Sequence, residues 1–202
     1  MSHSILKSLA RPLSLAIVLA GLTAQAGVAA AADVAPVIRF ADATMLSTDA
    51  TSLSITVEAR PPKEYPHVMS RAPFTVEQAA KAWAESHFSR SGNSVNTLRI
   101  TVTEGDITEK LLPKTGGIKG WFTKDQAAEY EARIAVQVAV VDPTGKVVAS
   151  ADGKAWHTRT VTEGATEADK RQAWAEMIKV SFDNLDAELQ PRIRSTMSGY
   201  VH

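Results

Sequence analysis

Residues 130–141 read Tyr130-Glu131-Ala132-Arg133-Ile134-Ala135-Val136-Gln137-Val138-Ala139-Val140-Val141, and Asp142-Pro143-Thr144-Gly145 follows them. Tyr130, Ala132, Ile134, Val136, Val138 and Val140 fall at every second position. A period of two sends alternate side chains to opposite faces of a strand, so these six make one unbroken apolar face. The other face starts charged at Glu131 and Arg133 and ends apolar at Ala139 and Val141. That change predicts a central strand covered on both sides at its end. In Asp142-Pro143-Thr144-Gly145, Pro stands at the second position and Gly at the fourth, as type I turns prefer. Residues 146–160 are therefore expected to return as the antiparallel hairpin partner, with a kink at Asp152-Gly153.

Working outward from this hairpin, two more alternating runs appear upstream. Leu53, Ile55 and Val57 alternate with Ser52, Ser54, Thr56 and Glu58, predicting a strand over 52–60. Leu98, Ile100 and Val102 alternate with Thr97, Arg99, Thr101 and Thr103, predicting another. Gly105-Asp106 should interrupt it as a bulge or turn, with 107–112 continuing to Pro113. Residues 37–40 read as a short edge strand. Pro61, Pro62 and Pro66 end the strand over 52–60, since proline cannot donate a ladder bond. The stretch 61–73 is expected to be an ordered crossover loop, with docking into an aromatic groove as the alternative.

Two helices complete the pattern. Thr75-Val76-Glu77-Gln78 matches a capping box, and Val76, Ala79, Ala80, Trp83 and His87 recur on one face before the helix ends near Ser89. A second helix should start after Thr166, with Glu167 and Asp169 favourable in its first turn. Trp174, Met177, Ile178, Ser181, Phe182, Leu185 and Leu189 run down one side, and Pro191 should end or kink it. Thr123-Lys124-Asp125-Gln126 repeats the capping pattern and predicts one helical turn. The order is β-α-β-β-β-α. The fold class is α+β: a two-layer sandwich of a mainly antiparallel sheet of three to five strands and two amphipathic helices.

Residues 1–32 have the pattern of a secretory signal peptide. Lys7 and Arg11 precede an apolar run over 13–22, and Ala24-Gln25-Ala26 and the alanines at 29–32 each fit an A-x-A end. The run is shorter than the roughly 20 residues a membrane span needs. Cleavage is expected after Ala26 or within Ala30–Ala32, leaving one domain over 33–202. The chain contains no cysteine, which excludes disulfides, thiolate metal sites and acylation of a lipobox. Full-length charge is 22 basic against 22 acidic residues; removing Lys7 and Arg11 leaves 20 − 22 = −2. No basic stripe argues for nucleic acid, and no second stretch is long and apolar enough to span a membrane.

The strand at Leu53–Val57, the helix from Thr75, the 130–160 hairpin and the helix at Trp174–Leu189 stand in an order that resembles small Gram-negative periplasmic envelope proteins. These are the lipopolysaccharide-assembly lipoprotein E and the YajG-type proteins. Pro113-Lys114-Thr115-Gly116 through Gly120-Trp121-Phe122 to Gln126-Ala127-Ala128-Glu129-Tyr130 also resembles an uncharacterised exported bacterial family. The resemblance implies a non-enzymatic partner of envelope machinery. Those lipoproteins are acylated on a cysteine; this chain has none, so a soluble, unanchored species is expected.

A search for chemistry finds few candidates. There is no G-x-S-x-G, no H-E-x-x-H and no G-x-x-x-x-G-K-[ST]. His87 sits at the edge of a core face and reads as a satisfied interfacial histidine, and His202 is terminal. Asp152 and His157 lie five apart, on opposite faces of a regular strand. Glu163, Glu167 and Asp169 cluster where a helix start favours acids. The loop with Gly116, Gly117, Gly120, Trp121 and Phe122 is the candidate partner contact, or else a lid over the sheet. The expectation is an exported, periplasmic or secreted, non-enzymatic accessory or binding protein with an envelope protein as partner and no cofactor. A small-molecule or lipid-binding domain is the alternative, which needs an apolar pocket. An unrecognised hydrolase would need His67, His157 and the acids gathered in a cleft.

Overall fold

A computed structural model describes residues 38–40, 44–113 and 126–202. In chain order the elements are β1 (Leu46–Thr48), β2 (Ser52–Val57), α1 (Val76–His87), β3 (Phe88–Arg90), β4 (Thr97–Leu111), β5 (Gln126–Val141), β6 (Val147–Thr162) and α2 (Glu167–Thr196). A single 3-10 turn, Met69–Arg71, interrupts the crossover between β2 and α1.

The main sheet has the order β2-β4-β5-β6, so the alternating run at 130–141 is an interior strand as its pattern demands. β5 pairs antiparallel with β4 and β6, whereas β2 lies parallel to β4. The parallel pair follows from the connection: a crossover containing α1 brings the chain back in the same direction. Val136, Val138 and Val140 face Val102, Ile100 and Leu98 on one side and Gly153, Ala151 and Ala149 on the other. Both helices cover this face, α1 over β2 and β4 and α2 over β5 and β6. Trp83, Trp174, Met177, Phe182, Leu185 and Leu189 are fully buried in the resulting layer. The α+β class with a mostly antiparallel sheet is thus realised.

Each helix begins on the cap its sequence specified. Thr75 Oγ1 accepts from Gln78 N–H at 3.2 Å, and Gln78 Oε1 accepts from Thr75 N–H at 2.8 Å. Thr166 and Asp169 form the same reciprocal pair at α2. Such caps satisfy N–H groups that a helix start leaves without an internal partner.

Several local expectations fail for identifiable reasons. Pro191 does not end α2, which runs on to Thr196. Pro191 and Ala187, the residue whose carbonyl loses its usual partner, are both exposed, so water can take that bond, while Ile193 and Met197 beyond are buried. At Asp152-Gly153, where a kink was expected, the pairing register is undisturbed: β6 stays paired through Gly153 opposite Val136. The glycine instead admits α2, since a Cβ there would lie 2.6 Å from Leu189 Cγ. The bulge in β4 falls between Val102 and Glu104, earlier than Gly105-Asp106. Gly105 sits in register opposite Ile134 and makes room for Val76, whose Cγ1 would be 2.7 Å from an added Cβ.

Residues 38–40 form no strand; Phe40 is buried edge-on to Phe182 and His87. Strand, not a helical turn, begins at Gln126; residues 123–125 lie outside the described part. α1 stops at His87 and passes directly into β3, which pairs parallel with β1. His202 exchanges backbone bonds with Ser47 at 2.8 and 2.7 Å, so this residue is tied to β1.

Candidate functional site

The proline-rich crossover does more than connect. Pro61 and Pro62 leave the edge of β2, and the segment then docks on the far part of β4. Val68 N–H donates to the Ile107 carbonyl and Glu109 N–H to the Pro66 carbonyl, both at 2.8 Å. Upstream, Ala59 N–H donates to the Val102 carbonyl at 3.1 Å, and the prolines at 61 and 62, which cannot donate, carry the chain off the ladder between Ala59 and Pro66. The space left is a cleft of about 450 Å³ against the first turn of α1. Val57, Met69, Pro73, Phe74 and Val76 give it an apolar lining, and Gly105 lines it from β4.

The charged side chains around the cleft are both cations, Arg60 and Lys63. Arg60 Nη1 donates to the carbonyls of Val57 at 2.9 Å and Ala59 at 3.0 Å, which holds the guanidinium in place. Lys63 also lines the cleft, and no carboxylate does so among the described residues. Gln78 contributes its side chain, with Oε1 already bonded to Thr75 N–H. Sequence reading assigned 61–73 the role of an ordered crossover and missed the cleft. The available signal was the pair of cations flanking Pro61-Pro62 beside the Thr75 cap.

The opposite face of the sheet carries a second surface. Trp156 is 62% exposed and stands on edge strand β6 opposite Arg133. With Glu104, Glu131, Arg133 and Lys154 it borders a polar groove of about 340 Å³. Its exposure follows from parity: Trp156 shares its face with Asp152 and Lys154, away from the helices.

The sequence candidates do not gather. His67 Nδ1 lies 2.5 Å from Asp106 Oδ2, and Asp106 Oδ1 accepts from Ile107 N–H at 2.8 Å. His157 is opposite Ala132 on the helix-covered face of the sheet, whereas Asp106 is opposite Arg133 on the other face. Asp152 is opposite Gln137 and bonded to it, so Asp152 and His157 do occupy opposite faces as read.

His87 is buried, with Nδ1 2.7 Å from the Trp83 carbonyl and Nε2 3.3 Å from Asp186, and it ties α1 to α2. The acids at the start of α2 serve the helix. Bonds to Lys170 and then Arg71 hold the Glu167 carboxyl below its ordinary range, and Thr166 does the same for Asp169. Gly116, Gly117, Gly120, Trp121 and Phe122 lie outside the described residues, as does the signal-like segment 1–32. Among the described residues no three His, Asp or Glu side chains cluster as a metal site, and no helix is long and apolar enough to cross a membrane.

No family model and no curated protein matches the chain. Among solved structures it is similar to a minor lipoprotein from Acinetobacter baumannii, at 16% identity and a TM-score of 0.36, over 68% of this chain and 86% of that one. It is also similar to a candidate lipoprotein from Caulobacter crescentus, at 13% identity and a TM-score of 0.30, over 69% of this chain and 84% of that one. At such scores the backbones coincide only in part, and no function follows from either.

Proposed function

We propose that this is an exported, non-enzymatic binding protein of the cell envelope, and that it takes its ligand in the cleft between the 61–73 crossover and α1. The cleft carries the reading: about 450 Å³, lined by apolar side chains, with a few convergent polar groups. Small-molecule sites have that size and composition. Export is supported by the basic start, short apolar run and A-x-A ends of residues 1–32. Binding rather than catalysis is supported by the engagement of His87 between the helices and the separation of His67 and His157 by the sheet.

The test uses 1-anilinonaphthalene-8-sulfonate, an apolar fluorophore with an anionic group. Saturable binding is expected, and Ala59→Phe, which fills part of the cleft from a half-buried position, should weaken it at least about tenfold without lowering the melting temperature. Unchanged binding in that variant sinks the cleft as the site.

A second reading, contact with an envelope protein, is favoured by the exposure of Trp156 on edge strand β6. Mild cross-linking of the envelope should trap a complex that Trp156→Ala loses. Monomer alone in the wild type counts against this reading.

A further inference from the structure

Resting on the cleft as the binding site, we propose that its ligand is a free single-chain fatty carboxylate, with the chain among the apolar side chains and the carboxylate on Arg60 and Lys63. The donor and acceptor inventory decides the sign of the head group. Arg60 commits Nη1 to two backbone carbonyls, at 2.9 and 3.0 Å, which fixes the guanidinium plane. A guanidinium has five donors in a fixed fork, so Nη2 and Nε remain for a ligand. Lys63 brings three more donors and a second positive charge.

Gln78 is the informative neighbour. Its Oε1 accepts from Thr75 N–H at 2.8 Å, and only oxygen can play that part, so the cap dictates the amide orientation and leaves Nε2 as a donor. The cap thus engages two acceptors of the lining, Gln78 Oε1 and Thr75 Oγ1, and leaves the Ser70 hydroxyl, which can donate or accept. The charged side chains of the lining are two cations, with no acid. Arg60, Lys63 and Gln78 are exposed, so water answers their free donors when no ligand is bound; a cationic head would be repelled by the two positive charges, and an anionic oxygen pair replaces that water with the stronger, charge-assisted bonds.

Volume limits the tail. A cleft of about 450 Å³ corresponds to about fifteen water volumes, and a methylene is close to a water in size, so one chain of about a dozen carbons has room there. Met69 and Phe74 offer a flexible thioether and a ring for such a chain to lie against.

The experiment is calorimetric titration of the full chain with dodecanoate, dodecan-1-ol and dodecyltrimethylammonium, each below its micelle concentration. Dodecanoate is expected to bind at least about tenfold tighter than dodecanol, and the cation not at all. Arg60→Gln and Lys63→Gln should each weaken dodecanoate severalfold and leave dodecanol unchanged. Equal binding of dodecanoate and dodecanol overturns the carboxylate and leaves the cleft standing. Sedimentation with phosphatidylglycerol vesicles but no binding of free dodecanoate overturns it too, and places the ligand in a membrane surface. If no amphiphile binds and the anilinonaphthalene probe is indifferent to Ala59→Phe, the cleft reading itself falls.

Discussion

Gly153→Ala adds one methyl group where β6 meets α2. An ideal Cβ would lie 2.6 Å from Leu189 Cγ, 3.0 Å from Leu189 Cδ2 and 3.1 Å from Leu185 Cδ1. Carbon atoms in contact prefer about 3.5–4.0 Å, so Leu189 must retreat by about 1 Å. Both leucines are fully buried and have nowhere free to go. Overpacking of this kind costs about 1–3 kcal/mol. The backbone adds no strain, because the described positive-φ glycines are Gly92, Gly145 and Gly164. Losing glycine's freedom in the unfolded chain offsets about 0.4–1 kcal/mol.

The net expectation for Gly153→Ala is a loss of about 1–2 kcal/mol, or about 2–8 °C for a chain of this size. Leu189→Ala alone should cost about 2–5 kcal/mol by leaving a cavity. In the double variant the new methyl occupies part of that cavity, so the combined loss should fall short of the sum by about 1–2 kcal/mol. Urea unfolding followed by tryptophan fluorescence and far-ultraviolet circular dichroism measures all three. A Gly153→Ala protein as stable as wild type, or a strictly additive pair, refutes the close-approach account of this glycine.

Alkaline stability should depend on Tyr130. Its phenol is fully buried and donates to Glu109 at 2.5 Å; burial first, then the Glu109 carboxylate, push its pKa well above the ordinary value near 10. A raised folded pKa means the stability is fully present below about pH 10 and is lost as pH climbs beyond it, because only the unfolded chain ionises there. Tyr130→Phe should flatten that alkaline decline, measured as urea midpoint against pH from 8 to 11; an unchanged slope argues against it. Thr166→Ala should lose about 1 kcal/mol, because Thr166 Oγ1 accepts from Asp169 N–H at 3.1 Å, while Thr166→Ser keeps the cap and most of the stability. Equal midpoints for the Ala and Ser variants would show that the cap contributes nothing.

How far the pattern could be read is visible at particular residues. Burial of Tyr130 through Val140 at alternate positions matches the period of two, and Ala139 and Val141 are buried on the second face as their apolar character implied. Trp83 and Trp174 lie in the core where helical spacing put them. The three-residue strands β1 and β3 escaped notice because a run that short carries barely one repeat of any period. Glycines were misread for a similar reason. Gly105 was read as a bulge or turn and Gly153 as a kink, and both stand at close approaches, to Val76 and to Leu189, that the alternation cannot reveal. The cleft was missed because Arg60-Pro61-Pro62-Lys63 meets the Thr75 cap and Gly105 of β4 only after the crossover docks on that strand.

The amino-acid sequence by itself determined the hairpin over β5 and β6, the two capped helices with their apolar faces, and the α+β class. These rest on side-chain direction and hydrogen bonds between residues a few positions apart, which any stretch of chain expresses locally. The tertiary structure alone decided that β2 runs parallel to β4, that Pro191 is tolerated on an exposed side of α2, and that Trp156 faces outward. It alone assembled Arg60, Lys63 and Gln78 around one apolar space. Each of these depends on which face of an element another element covers, and that is set by packing between residues far apart in the chain.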